Sequence, residues 1–240
     1  MKTVLITGAS GGLGQALCSV FSKESVCLGL HVFKQKSEGA ALVADFSSSV
    51  CDAHSFSADL RNADDVREMF RAFKQRWGRM DLLINSAGMN RNALFHKEGL
   101  EDWDLLMAVN LSGVFYSMRE AANLMKKQGK GHIINIASGA AFAGRAGQSA
   151  YAASKRGLIG LSLSAAKEWG QSGIQVNSIC PGYLDTPMTA ALSPSQSKKL
   201  ISENVLGRAS TLEEVSHFVL MLSKMNHVSG QVFHLDSRIG

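Results

Sequence analysis

Val4-Leu5-Ile6-Thr7-Gly8-Ala9-Ser10-Gly11-Gly12-Leu13-Gly14 is an apolar run that dissolves into glycines and then enters a helical pattern. Glycines let a backbone turn tightly and let its N–H groups approach a diphosphate. The helix that follows offers partial positive charge at its N-terminus. A glycine-rich string by itself is an ordinary turn. Set between the first strand and the first helix, it points to a dinucleotide cofactor. The spacing is T-G-x-x-x-G-x-G rather than G-x-G-x-x-G. Thr7, Gly8, Ser10, Gly11, Gly12, Leu13 and Gly14 are therefore candidate cofactor-binding residues.

Outward from this turn, short apolar runs alternate with longer segments of helical period, the rhythm of βα units around a parallel sheet. Strands are predicted at Val4–Thr7, Val26–His31, Asp52–Ser57, Leu82–Asn85, His132–Ile136, Ile174–Ile179 and Gln231–Leu235. Several are almost continuously apolar, as strands are when helices cover both sheet faces. Helices are predicted at Leu13–Lys23, Ala63–Trp77, Leu100–Lys127, Ala150–Trp169 and Thr211–Ser223, with a short one within Lys34–Ser49. The expected fold is α/β: a single-domain, Rossmann-like doubly wound parallel sheet of about seven strands with helices on both faces. One catalytic domain is expected over residues 1–240. An irregular stretch, Tyr183–Ser197, holds Pro187 and Pro194 and reads as part of a mobile substrate segment at about 183–205.

Composition narrows the function. The chain has 240 residues, is 45% hydrophobic and 19% charged, and carries a net charge of +5. Its basic groups are scattered: Lys34 with Lys36, Lys126-Lys127 with Lys130, and Lys198-Lys199. None is a run of five interleaved with aromatics, so no nucleic-acid partner is expected. Solvated helix faces explain most of them, and nucleotide phosphates or an acidic acyl carrier could use the rest. Cys18, Cys27, Cys51 and Cys180 lack metal-ligand spacing, and no disulfide or metal site is expected. Neither a signal-peptide layout nor an apolar run of roughly 18 residues is visible. The reading is a soluble, cytoplasmic protein with no membrane partner.

The adenosine end is read from Leu28-Gly29-Leu30-His31-Val32-Phe33-Lys34. An acid at the end of the second strand binds the ribose 2′-hydroxyl of NAD, and none stands here. Its absence removes repulsion against a 2′-phosphate, which Lys34 or Lys36 could neutralise. NADPH is the expected cofactor, with NADH as the alternative.

Tyr151-Ala152-Ala153-Ser154-Lys155 opens a predicted helix, and the i,i+4 spacing puts Tyr151 and Lys155 on one face. A phenol of pKa about 10 is a poor proton donor-acceptor at neutral pH. A neighbouring ammonium stabilises the phenolate and lowers that pKa. Ser138 follows the strand His132–Ile136, at the strand end where open parallel sheets bind ligands. Asn110 interrupts the apolar segment Leu105–Val114 as either a core amide or a site group. Asn85-Ser86-Ala87-Gly88 ends the fourth strand in small residues that let backbone pass close to a ligand.

These motifs, with Asp59-Leu60 and with Pro181-Gly182 followed by Thr186, resemble those of short-chain dehydrogenases/reductases along essentially the whole chain. Ser86 stands where relatives often have asparagine. The resemblance implies Tyr151 as general acid for carbonyl reduction, Ser138 as the hydrogen-bond partner of the carbonyl oxygen, and Lys155 as the group binding the nicotinamide ribose. It implies that Asn110 holds a relay water. It further places Asp59-Leu60 at adenine, Asn85 to Gly88 at the adjacent ribose, and Thr186 with Pro181-Gly182 at the nicotinamide.

Within that family the chain is most similar to 3-oxoacyl-[acyl-carrier-protein] reductases. The shared segments are Asn90-Arg91-Asn92, Tyr183–Met188 and Val228-Ser229-Gly230-Gln231. The resemblance implies reduction of a 3-oxoacyl thioester, an acyl carrier protein as partner, fatty-acid-type synthesis, and a homotetramer with a dimer as the alternative. Gln128-Gly129-Lys130 and Gln171-Ser172-Gly173 stand where relatives place carrier-docking arginines, and Asp236-Ser237-Arg238-Ile239-Gly240 replaces a terminal glycine pair. Rival readings are an enzyme acting on an acyl-CoA, a polyol or another alcohol or ketone, and a non-catalytic cofactor-binding module.

Overall fold

The computed structural model describes residues 1–33, 36–190 and 192–238. The chain runs β1 (Lys2–Thr7), α1 (Gly12–Phe21), β2 (Val26–Val32), α2 (Lys36–Phe46), β3 (Cys51–Ser57), α3 (Ala63–Trp77) and β4 (Leu82–Asn85). It continues α4 (Leu100–Met107), α5 (Gly113–Gln128), β5 (Gly131–Ile136), α6 (Ala140–Ala143), α7 (Ser149–Trp169) and β6 (Ile174–Pro181). It ends α8 (Pro194–Ser202), α9 (Leu212–Ser223) and β7 (Val232–Leu235). The seven strands form one sheet in the order β3-β2-β1-β4-β5-β6-β7, and each neighbouring pair is parallel.

Strand alternation feeds two cores. Val4, Ile6, Leu28, Leu30, Ile84 and Ile134 pack on one face against Leu17 and Phe21 of α1 and Val219 and Leu222 of α9. Leu5, Leu83, Ile133 and Val176 face the other side, against Phe70 and Phe73 of α3, Met118 of α5 and Leu158 of α7. Because both faces are covered, β1, β2, β4, β5 and β6 are almost wholly buried, which accounts for their continuous apolar runs, whereas the edge strand β3 alternates and exposes Asp52, His54 and Ser57.

The order reverses between β1 and β4. The chain steps outward from β1 to β2 and β3, then crosses back to lay β4 beside β1. Thr7 pairs with Asn85, so both strands end level. This reversal point lies beneath the crevice beyond the carboxyl ends, where such sheets bind ligands.

Some local readings are refined. The long helix expected over Leu100–Lys127 is divided by a π-helical turn, Ala108–Ser112, with Asn110 at its centre. Such single turns sit inside an α-helix without any break in composition, so the sequence offers no boundary there. The stretch after Tyr183 acquires α8, started by a reciprocal cap between Ser193 and Gln196 with Pro194 inside its first turn. The four-residue α6 is too short to leave a periodic signal. Among the described residues no helix is long and apolar enough to cross a membrane, no His/Cys/Asp/Glu cluster could hold a metal, and all four cysteines are free.

Candidate active site

The glycine-rich turn is shaped by two close approaches. Gly8 has φ +67°, and a Cβ there would lie 2.7 Å from Ala87 Cα. A Cβ on Gly14 would lie 2.0 Å from the Gly8 carbonyl oxygen. The first loop thus packs directly on the loop after β4, and only glycine permits it. Thr7 ties the same loops together: its hydroxyl accepts from the Ser86 and Ala87 N–H groups at 3.1 and 3.2 Å. The first turn of α1 has no side-chain cap, which leaves its leading N–H groups directed at the crevice as an anion cradle.

His31, at the end of β2, braces this turn from beneath. Its Nδ1 accepts from the Gly8 N–H at 3.0 Å, and its Nε2 donates to the Ala58 carbonyl at 3.1 Å. A backbone N–H can only give and a carbonyl can only receive, so the ring is neutral with its proton on Nε2. Burial agrees, holding the His31 pKa down to about 4.

A cavity of 710 Å³ extends from this turn across the carboxyl ends of β4, β5 and β6. At one end it is walled by Ser10, Gly11, Asp59, Leu60, Arg61 and Phe33. Asp59 and Arg61 form an ion pair at 2.6 Å, and the Arg61 guanidinium lies over the Phe33 ring at 5.8 Å. Gly12, Leu13 and Gly14, with Ser86, Ala87 and Gly88, line the middle. Ser138, Tyr151, Lys155, Pro181, Gly182 and Thr186 line the far end.

There α7 presents Tyr151 and Lys155 one turn apart. Lys155 is 4% exposed. Its Nζ donates to the Ile136 carbonyl at 2.8 Å and lies 5.9 Å from the centroid of the Tyr151 ring. Burial lowers its pKa to about 8. Burial also raises the Tyr151 phenol above its ordinary value, while a hydrogen bond with Ser138 pulls it back. Desolvation of the phenol is the largest of these influences, and the Lys155 Nζ is bonded to Ile136. Ser138, just beyond β5, also accepts from the Ala140 N–H at 3.2 Å, and so the start of α6 helps fix its hydroxyl.

Three expected site residues stand behind the walls. Thr7 and Asn85 are 0% and 1% exposed and do not line the cavity. Asn85 Nδ2 donates to Asn135 Oδ1 at 2.7 Å, so its side chain is a core amide. Asn110 is also fully buried. Its Oδ1 accepts from the Met89 N–H and its Nδ2 donates to the Met89 carbonyl, both at 2.9 Å. Lys34 lies outside the described residues. Conversely, His31, Arg61, Arg145 and Gln148 line the cavity without having been singled out. His31 lacked a signal because an apolar strand context disguises a polar bracket. Arg145 could have been suspected from its place just before the Tyr151 helix.

A strand-turn-helix cradle, with serine, tyrosine and lysine brought to one cavity by β5 and α7, defines a nicotinamide-linked oxidoreductase. The short chain dehydrogenase profile matches residues 2–197. The chain belongs to that family and is an NAD(P)-dependent oxidoreductase acting on CH–OH groups. It is 34% identical to the 3-oxoacyl-[acyl-carrier-protein] reductase FabG of Thermotoga maritima, over 98% of this chain and 96% of that protein. It is 31% identical to the FabG of Staphylococcus aureus strain MW2, with the same two coverages. A 3-oxoacyl-[acyl-carrier-protein] reductase of Synechocystis sp. is 32% identical over 98% and 95%. Among solved structures, a dehydrogenase/reductase from Sinorhizobium meliloti 1021 superposes with a TM-score of 0.91 at 29% identity, covering 98% and 94%.

Proposed function

We propose that this chain is an NADPH-dependent ketoreductase that reduces a 3-oxoacyl thioester, carried on acyl carrier protein, to the 3-hydroxyacyl thioester. The observation that carries the reading is the convergence of Ser138, Tyr151 and Lys155 on the cavity that begins at the glycine cradle. The names of the FabG relatives support the substrate class. The lack of a carboxylate at the end of β2, where His31 and Phe33 stand, supports NADPH over NADH.

The cradle fits a dinucleotide: glycines without Cβ atoms, an uncapped helix start, and a long cavity toward the tyrosine. A bound reduced nicotinamide would supply the hydride. Gly8 to Gly14 would hold the diphosphate, Asp59 and Leu60 the adenine, and the backbone from Asn85 to Gly88 the adjoining ribose. Pro181, Gly182 and Thr186 would seat the nicotinamide.

Tyr151 donates the proton to the carbonyl oxygen as the alkoxide forms, with the Ser138 hydroxyl donating to the same oxygen. A phenol held above its ordinary pKa is protonated at neutral pH, which is the form the reductive direction requires. Lys155 binds the ribose and offsets charge on the phenolate left behind. Asn110 fixes the loop through Met89, and a water at the Asn110 turn links Lys155 to solvent.

Initial rates with acetoacetyl-carrier protein and acetoacetyl-CoA, each with NADPH and NADH, test the proposal. The carrier-bound substrate with NADPH should give the highest kcat/KM. Turnover confined to simple alcohols or ketones would refute it. The enzyme is taken to be a cytoplasmic homotetramer, and light scattering on the purified chain checks the assembly.

A further inference from the structure

The charged residues described along the cavity wall are Asp59, Arg61, Arg145 and Lys155. Asp59 and Arg61 neutralise each other at the adenosine end, and Lys155 bonds to Ile136. Arg145 is different. It lies between α6 and α7, and shares the substrate end of the wall with Ser138, Gln148 and Tyr151. Its side chain is 23% exposed, and its ionic partner is Glu203 of the α8 region at 3.8 Å, beyond hydrogen-bond reach. No hydrogen bond from its guanidinium is present among the described residues. The neighbouring Arg238 takes Asp236 for itself and repels Arg145. A largely desolvated guanidinium, without a hydrogen bond among the described residues, therefore lines the same end of the cavity as Tyr151, and no carboxylate lines that part of the wall.

Such a guanidinium fork matches a carboxylate with two parallel hydrogen bonds and can also donate to a carbonyl oxygen. Nearby, Leu105, Val109, Leu184, Met188 and Leu192 give the cavity apolar walls for the rest of a substrate. We propose that Arg145 selects the substrate by binding an acyl oxygen, of a thioester or a free carboxylate, adjacent to the ketone that is reduced. The inference rests on the ketoreductase reading of this site, but not on the thioester or the carrier protein. It makes Arg145 a specificity residue: 3-oxoacyl compounds are favoured over ketones that lack the second oxygen.

The test compares wild-type protein with Arg145→Gln and Arg145→Lys on acetoacetyl-CoA, acetoacetate and 2-pentanone, with the same cofactor throughout. The ratio of kcat/KM for the better acyl ketone to that for 2-pentanone should fall at least tenfold in Arg145→Gln, mainly through KM. Arg145→Lys should recover part of the loss. Calorimetry of acetoacetate binding to the cofactor-loaded proteins should show a matching rise in Kd. Parallel loss on all three ketones would mark a structural role and overturn the inference. So would a wild-type enzyme that prefers 2-pentanone, an unchanged ratio, or acetoacetate that neither binds nor reacts while acetoacetyl-CoA shows no dependence on Arg145. Activity on acetoacetate but not on acetoacetyl-CoA would refute the thioester reading and leave this one standing.

Discussion

The side-chain amide of Asn110 holds the backbone of Met89 from both ends, accepting from its N–H and donating to its carbonyl at 2.9 Å each. This amide rises from a π-helical turn and grips a loop that lies just beyond β4. A Cβ on Gly88 would meet Asn110 Oδ1 at 3.3 Å and Lys155 Nζ at 3.4 Å, so the contact abuts the lysine.

Replacing Asn110 with Ala should leave the Met89 N–H and carbonyl without partners, at a cost of about 1–3 kcal/mol. Chemical denaturation should report that loss. Activity should fall further than stability predicts, because the same loop shapes the cavity. Asn110→Asp keeps the acceptor but sets a buried carboxylate oxygen against the Met89 carbonyl, and should be at least as destabilised as Ala. Equal stability of all three proteins would remove Asn110 from this role.

Tyr151→Phe removes the proton donor without emptying the cavity. Turnover should drop by about two to four orders of magnitude, the scale of general acid catalysis. Cofactor affinity, measured by fluorescence titration, should change less than threefold. Retained turnover would dismiss Tyr151 as the acid.

Gly14→Ala drives a methyl group toward the Gly8 carbonyl, where the available separation is 2.0 Å. The turn must open, and the cradle opens with it. The variant should lose the thermal shift that cofactor produces in the wild type. A normal shift would show that the turn adjusts without consequence.

Two buried imidazoles give the fold an acid limit. Burial pushes both His31 and His132 down to about 4, against an unfolded value near 6.5. In that window the unfolded chain takes up protons that the folded one refuses, so stability is full above about pH 6.5 and falls as pH drops toward 4. Each histidine contributes on the order of 3 kcal/mol to that slope. Melting temperatures between pH 7 and 4.5 should show it, and His31→Gln should flatten the curve. An unchanged slope in the variant would assign the acid sensitivity elsewhere.

Much of this was legible from residues alone. The five inner strands appear where apolar runs predict them, because strands buried on both faces cannot hide their character. Ala63–Trp77 coincides with its prediction to the residue, since Asn62 caps its start and Gly78, at φ +74°, ends it. The π turn at Asn110 was invisible, because one extra residue per turn shifts hydrogen bonds without disturbing composition. Motif position predicts Asn85 and Thr7 as ligand contacts. Their side chains are spent on holding loops and strands together, a difference that only packing reveals. Arg145 shows the converse: its meaning lies in what surrounds it, and no spacing rule encodes that.

The bracket made by His31 has a consequence for anyone redesigning cofactor choice. It needs one atom that receives and another that gives, on a side chain of the right reach and without charge. Aspartate at position 31 could receive from Gly8 but would have nothing to give Ala58, and it would bring a buried negative charge. The obvious exchange toward an acidic strand end is thus barred by a duty unrelated to the ribose. A redesign must leave the imidazole in place and work from its neighbours.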